Sequence, residues 1–281
     1  MTALLDGKKI AADVRDRVSE EATALRERGV VPTLGIVVAT DDGSATWYVG
    51  SIGRAAGKVG IATRTESLGA DATEDTIAAR LGVLAADPAV HGIILQTPLP
   101  AGVRADRLAE LIPVAKDVDG ANPTSAGRLM AGLPAFAPAT AAAVVEILDG
   151  HGVAIEGARV AVVGRSMVVG KPAALLLLAR NATVTICHSR TRDLARVTSE
   201  ADIVVAAMGR PRFIGAEHVG EGATVVDVGT TPDADGTLVG DVDAGAVTGR
   251  AGRLTPVPGG VGPVTTAVLL RQTVRAASGL G

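Results

Sequence analysis

Apolar residues along this chain fall into two kinds of pattern that alternate. Short continuous runs at Thr33–Ala39, Gly92–Gln96, Val160–Val163, Ala182–Cys187, Asp202–Ala206 and Thr224–Val228 read as buried strands. Between them lie longer stretches with helical spacing. Lys8 to Arg28 carries Ile10, Val14, Val18 and Leu25 roughly on one face, with Gly29 as its stop. A second helix runs to about Val59 from the loop Asp41-Asp42-Gly43-Ser44, with Ser44 or Thr46 as its cap. A third covers Thr73 to Ala86, capped at Asp71 or Thr73, and a short one is expected near Arg104 to Ile112. The Pro- and Ala-rich stretch Pro134 to Ala142 leads into a helix ending near Asp149, and Pro256 to Pro263 introduces a last helix. Strands and helices alternating on both sides of a linker predict two α/β lobes with largely parallel sheets. In such folds ligands sit beyond the carboxyl ends of strands, and Gln96, Asp119, Gly209, Gly229 and Gly259 all follow a predicted strand or lie in a loop. A cleft between the lobes is the expected place for them to meet.

The stretch Arg159 to Arg190 organises the second half. Its first strand ends at Gly164, a short loop follows, and Gly170 and Pro172 open a Leu-rich helix ending near Arg180. The next strand stops at His188-Ser189-Arg190. This is a βαβ unit of about 30 residues. Its turn exposes helix N–H groups and the positive end of the dipole to a bound anion. Gly164 and Gly170 bracket the turn without the middle glycine of G-x-G-x-x-G, so a plain crossover stays open on this pattern alone. The end of the second strand narrows the choice. NAD-binding units place an Asp or Glu there for the ribose hydroxyls. Here that place holds His188, Ser189 and Arg190, with Arg165 in the turn. Guanidinium and hydroxyl donors suit a 2′-phosphate, so His188, Ser189 and Arg190 with Arg165 favour NADP over NAD, within a cofactor set that also holds Gly164, Ser166, Gly170 and Pro172. Gly209, Gly229 and Thr230, after the next two strands, join the cofactor set.

Composition acts mainly by exclusion. A chain of 281 residues accommodates two lobes with separate cores. A net charge of −3 argues against nucleic acid as the main partner. Cys187 is the only cysteine, so no internal disulfide forms and a cytoplasmic location is expected. Neither a signal peptide nor a membrane span is read, because the apolar runs are short and interrupted. His91, His151 and His218 form no spaced cluster with acids, and no metal site is expected. Aromatics are scarce, and the single Trp and single Tyr, Trp47 and Tyr48, are adjacent.

Several short segments, in order and at matching spacing, carry a resemblance over nearly the whole chain. They are Leu5-Asp6-Gly7-Lys8, Gln96-Thr97-Pro98-Leu99-Pro100, Lys116-Asp117-Val118-Asp119-Gly120, Gly127-Arg128-Leu129, the cofactor loop Gly164-Arg165-Ser166 with Val169-Gly170-Lys171-Pro172, and Pro256 to Pro263. The chain resembles the methylenetetrahydrofolate dehydrogenase/methenyltetrahydrofolate cyclohydrolase family. The resemblance implies a two-lobe, three-layer α/β fold. An N-terminal folate-binding lobe would comprise residues 1–137 plus 264–281, and a Rossmann-like NADP-binding lobe residues 138–263. It also implies tetrahydrofolate derivatives as substrates and a homodimer. Tyr48 corresponds to the tyrosine lining the folate site, Gln96 to the glutamine beside the reacting carbon, and Asp119 to the aspartate holding the pterin. Pro98, Leu99, Pro258, Gly259 and Gly260 are the further substrate-binding positions it implies.

One position departs. The family pattern Y-V-x-x-K places a catalytic lysine four residues after the tyrosine, and here that residue is Ile52. Residues 48 and 52 share a helix face. Arg54 lies roughly 120° from Tyr48 around the axis, and Lys58 roughly 80° away and about 15 Å further along, so neither replaces the lysine unless the helix breaks at Gly50, Gly53 or Gly57. Asn122-Pro123-Thr124-Ser125 and Pro138-Ala139-Thr140-Ala141 depart from the pattern too. Taking hydride from a methylene carbon between two nitrogens needs no general base. Hydrolysis of the resulting methenyl cation moves protons and gains from a positioned acid–base group. The expectation is therefore an NADP-dependent dehydrogenase with weak or absent cyclohydrolase activity. The alternatives are the full bifunctional enzyme and a non-catalytic folate- or nucleotide-binding homologue.

Overall fold

Runs of Val, Ile, Leu and Ala supply the interior strands of two parallel sheets, seen in a computed structural model that describes residues 1–279. In chain order the strands are β1 (Ala3–Leu4), β2 (Thr33–Val38), β3 (Ala62–Ser67), β4 (Gly92–Gln96), β5 (Arg159–Val163), β6 (Thr183–Cys187), β7 (Ile203–Ala206), β8 (Thr224–Asp227), β9 (Thr231–Pro232), β10 (Leu238–Val239) and β11 (Arg253–Leu254). The chain divides into two units: Met1–Ala12 with Thr140–Thr265, and Asp13–Ala139 with the chain from Thr266 on.

The unit built on Asp13–Ala139 carries the parallel sheet β3-β2-β4, in which Val38 lies opposite both Ser67 and Gln96. The central strand β2 is buried from Leu34 to Val38, as a strand covered on both faces must be. Helix Glu74–Ala86 brings Ile77, Leu81 and Leu84 onto a core shared with Val37, Val90, Ile93, Leu108 and Ile112. Each such side chain contributes about 1.5–3 kcal/mol by leaving water. The sequence pattern gave no sign of β3. Five of its six residues, in Ala-Thr-Arg-Thr-Glu-Ser, are exposed, because an edge strand has little to bury.

Helix Gly43–Lys58 is capped by Asp42, whose carboxylate accepts from the Ala45 N–H at 2.8 Å. Neither predicted cap acts: Ser44 and Thr46 lie inside the helix, and the Thr46 hydroxyl donates back to the Asp42 carbonyl at 3.0 Å. Thr73 does cap helix Glu74–Ala86, accepting from the Thr76 N–H at 3.2 Å.

The other unit holds a six-stranded sheet in the order β1-β11-β8-β7-β5-β6, every neighbouring pair parallel. Ala161, Val163, Val204, Ala206, Val225 and Ile214 form its core. The first residues lie here, not with Asp13–Ala139 where residues 1–137 were expected to stay together. The reason is pairing: Ala3 and Leu4 lie opposite Arg253 and Leu254 in β11. Gly7 then presses so closely on Gly260 that a β-carbon on Gly7 would lie 1.9 Å from the Gly260 carbonyl oxygen. β6 closes one side of the sheet with Thr183, Thr185 and Ile186 exposed. The hairpin of β9 and β10 and the helices Pro123–Met130 and Leu194–Ser199 were not expected, being too short to show a period. Among the described residues no helix is long and apolar enough to cross a membrane.

Candidate active site

The unit with β2–β4 holds Tyr48, Ile52, Gln96 and Asp119. Helix Gly43–Lys58 runs unbroken through Gly50, Gly53 and Gly57. It buries Ala45, Val49, Ile52 and Ala56, and Ile52 is 0% exposed. Tyr48 is half-buried on the same helix. Burial first, then the charge of Asp119, pushes its phenol up to about 12, while a side-chain hydrogen bond with Thr266 pulls the other way. Arg54 and Lys58 are exposed. The Arg54 guanidinium folds back over Gly50, where a β-carbon would lie 3.3 Å from it. No break brings either cation to the Tyr48 face.

Asp119 belongs to Lys116-Asp117-Val118-Asp119-Gly120, and the other four residues explain how it is held. The Lys116 ammonium donates to the carbonyls of Ala85 at 2.9 Å and Asp87 at 2.7 Å, closing the end of helix Glu74–Ala86. The fully buried Asp117 carboxylate accepts from the N–H groups of Ala121 and Asn122, both at 2.9 Å. Burial still pushes its carboxyl up. Val118 is core, and its carbonyl accepts from the buried Gln272 amide at 2.5 Å. Gly120 has φ +60, and a β-carbon there would lie 2.5 Å from the Pro138 nitrogen. The Asp119 carboxyl is pushed up to about 7, mainly by burial, with the Ala139 N–H opposing and the Asp117 charge adding.

Gln96 ends β4, and its amide nitrogen donates to the Thr97 carbonyl at 2.5 Å, so that group serves its own loop. Pro98 is exposed and Leu99 packs on the core under the sheet. The structure thus couples Tyr48 with Asp119 and Thr266, and leaves Gln96 turned on its own backbone. Thr266 and Gln272 were not anticipated, because a polar residue in an apolar helix gives no sign of what it meets. A cavity of about 310 Å³ opens beyond β2 and β3, lined by Val38, Thr40, Asp41, Thr46, Val49, Ser67 and Gly69, and none of the expected catalytic, substrate or cofactor residues lines it.

In the other unit, the loops after β5, β6, β7 and β8 share one edge of the sheet. Gly164 has φ +141, and a β-carbon would lie 2.2 Å from the Ala207 carbonyl oxygen. Gly170 sits against Gly164, where a β-carbon would lie 2.2 Å from the Gly164 carbonyl oxygen. These approaches require glycine and make a cradle of backbone alone. The Ser166 hydroxyl accepts from the N–H groups of Val169 at 3.1 Å and Gly170 at 3.3 Å, so part of the first turn of helix Gly170–Leu178 is satisfied from within. Pro172 is buried in that turn. His188 accepts from the Arg190 N–H at 3.1 Å. Arg165, Ser189, Arg190, Gly209 and Thr230 are exposed, and Gly229 is buried. Pro258, Gly259 and Gly260 also belong to this unit, with the Gly7 N–H donating to the Gly259 carbonyl at 2.9 Å. Among the described residues no group of three or more His, Cys, Asp or Glu is placed to hold a metal ion.

Two family models match the chain: the tetrahydrofolate dehydrogenase/cyclohydrolase catalytic domain over residues 5–119 and the NAD(P)-binding domain of the same family over residues 138–280. The chain is 60% identical over 276 residues to the bifunctional protein FolD of Parafrankia sp., covering 98% of this chain and 99% of that protein. It is 58% identical over 277 residues to bifunctional protein FolD 1 of Saccharopolyspora erythraea, covering 99% and 94%. The crystal structure of the bifunctional FolD methylenetetrahydrofolate dehydrogenase/cyclohydrolase from Campylobacter jejuni superposes with a TM-score of 0.96 at 36% identity, covering 99% of each chain. That of Trypanosoma brucei FolD, complexed with NADP and an inhibitor, gives 0.94 at 35%, covering 99% and 97%.

Proposed function

This chain belongs to the tetrahydrofolate dehydrogenase/cyclohydrolase family, and from that premise we propose that it oxidises 5,10-methylenetetrahydrofolate to 5,10-methenyltetrahydrofolate with NADP, the hydrolytic second step being weak or absent. NADP, when bound, supplies the hydride acceptor. The fit of this chain to it rests on the glycine cradle at Gly164 and Gly170 and on Arg165, Ser189 and Arg190 standing where a carboxylate would repel a 2′-phosphate. The Trypanosoma brucei relative with bound NADP supports the same choice.

On the substrate side, loss of hydride leaves a cation shared by two nitrogens. Asp119, titrating near neutrality, supplies negative charge in a buried setting that tolerates this cation. Tyr48 stays protonated at working pH and presents a flat ring and a hydroxyl, adding no charge of its own. Ring opening is different, because water must lose a proton and a nitrogen must gain one. Such proton transfer contributes about 10²- to 10⁴-fold where a group is positioned for it. The observation that carries the reading is Ile52: fully buried, on an unbroken helix, with Arg54 folded over Gly50 and Lys58 exposed.

The test follows methenyl formation and its decay separately in purified protein. The expected result is cofactor-dependent formation with decay no faster than without enzyme. Rapid enzyme-dependent decay would remove the monofunctional claim. Ile52→Lys is expected to regain decay if the remaining site is competent, at a cost in stability from placing an ammonium among Ala45, Val49 and Ala56.

A second reading, the full bifunctional enzyme, is favoured by two observations. The relatives at 58% and 60% identity are both named bifunctional, and Asp119 exchanges its proton near pH 7. On that reading Asp119→Asn abolishes hydrolysis at saturating substrate while methenyl formation persists. A homodimer, implied by the family resemblance, belongs to the same proposal, and sedimentation at the 28.1 kDa monomer mass would remove it.

A further inference from the structure

We propose that Asp241 is a positioning residue of the cofactor site: its buried carboxylate sets the loop after β7 against the Gly164 turn and keeps Gly229 beneath the same cradle. This rests on reading the carboxyl ends of β5, β7 and β8 as the place where the cofactor binds. Asp241 is 0% exposed. Its Oδ2 accepts two consecutive backbone N–H groups, Met208 at 2.7 Å and Gly209 at 2.9 Å. A trans peptide points its carbonyl opposite to its N–H. The peptide whose N–H reaches Asp241 therefore directs the Ala207 carbonyl the other way, and that oxygen is the atom that forbids a side chain on Gly164. One peptide plane links the buried acid to the glycine turn. The Gly209 peptide is held in the same sense, at a residue with φ +66.

The second oxygen of Asp241 has no hydrogen-bond partner. It lies against Gly229, where a β-carbon would stand 2.5 Å from it. The carboxylate, together with the Asp241 backbone nitrogen at the same 2.5 Å, thereby dictates glycine at a cofactor-loop position just after β8 as well. Asp241 is itself fixed by Asp227, whose Oδ1 accepts from the N–H groups of Asp241 and Gly229, both at 2.9 Å, and whose Oδ2 accepts from Val242 at 3.0 Å. Gly240 makes room for that carboxylate: a β-carbon there would lie 1.8 Å from Asp227 Oδ2. The pair forms a brace that fixes two loops without touching the ligand.

The experiment measures NADP and folate affinity by calorimetry for the full-length chain and two variants. Asp241→Ala leaves two N–H groups without their acceptor and is expected to weaken NADP binding about tenfold or more, with folate affinity unchanged. Asp241→Asn keeps a carbonyl oxygen in place and is expected to stay within about threefold of the parent. Unchanged NADP affinity in Asp241→Ala overturns the proposal, and so does equal loss in both variants, which would make charge and not the acceptor the cause. Should Asp241→Ala fail to fold, hydrogen exchange on the parent decides. Slow exchange of the Met208 and Gly209 amides without cofactor supports the brace, and exchange at the rate of an open loop rejects it. A parent chain that binds no NADP at all would instead remove the dehydrogenase reading beneath it.

Discussion

The two units solve the problem of a buried carboxylate in opposite ways. In the unit with β5–β8, Asp227 and Asp241 between them accept five main-chain N–H bonds between 2.7 and 3.0 Å. In the unit with β2–β4, Asp117 is satisfied by its loop, while Asp119 stays charged only at the cost of burial and sits within electrostatic reach of Tyr48. The first arrangement makes a rigid shape and the second keeps a reactive group. One unit thus carries a backbone cradle of fixed shape, and the other a carboxyl able to exchange its proton.

Four measurements break or sharpen this contrast. The largest effect is expected for Gly164→Ala, which combines φ +141 with a β-carbon 2.2 Å from the Ala207 carbonyl. It is expected to lose about 4 kcal/mol of stability in denaturant titration, and a loss below about 1 kcal/mol would show the cradle to be soft. Next is pH. Asp227 is pushed up to about 6 and Asp119 to about 7, so each favours the folded state most when protonated. Their contributions are complete below about pH 4 and are lost as pH rises through about 6 and then about 7. Asp227→Asn and Asp119→Asn are expected to flatten that fall by up to about 3 and about 4 kcal/mol respectively, and a fall unchanged in both variants would mean that neither group titrates where stated. Arg190→Ala is expected to weaken NADP about tenfold while leaving NAD affinity alone, and equal loss for both cofactors would move the 2′-phosphate elsewhere. The smallest effect belongs to the surface. Glu200→Gln breaks an exposed pair with Arg196, 3.8 Å long, and is expected to change stability by less than about 0.5 kcal/mol.

What could be read in the sequence follows the same division. β2, β4, β5 and β7 were legible because burial on both faces leaves an apolar run, and β3 was not, because its edge position permits Arg64 and Glu66. Gly164 and Gly170 announced the cradle, since close backbone approach has one solution in residue type. The place of Met1–Ala12 was missed because two residues of β1 are too few to signal a pairing with β11. Asp42 displaced Ser44 and Thr46 as a cap because all three residue types accept the same bond and spacing alone does not choose. Asp241 gave no signal: its partners are backbone N–H groups more than thirty residues away, and backbone carries no letter. Ile52 was legible only as a departure, and the structure adds that it is fully buried on the helix face it shares with Ala45, Val49 and Ala56.

The chain has one tryptophan and one tyrosine, Trp47 and Tyr48, neighbours on helix Gly43–Lys58. All tryptophan and tyrosine absorption and emission therefore originate at a single spot, with Trp47 facing water and Tyr48 coupled to Asp119. A folate arriving there would announce itself optically without any attached dye.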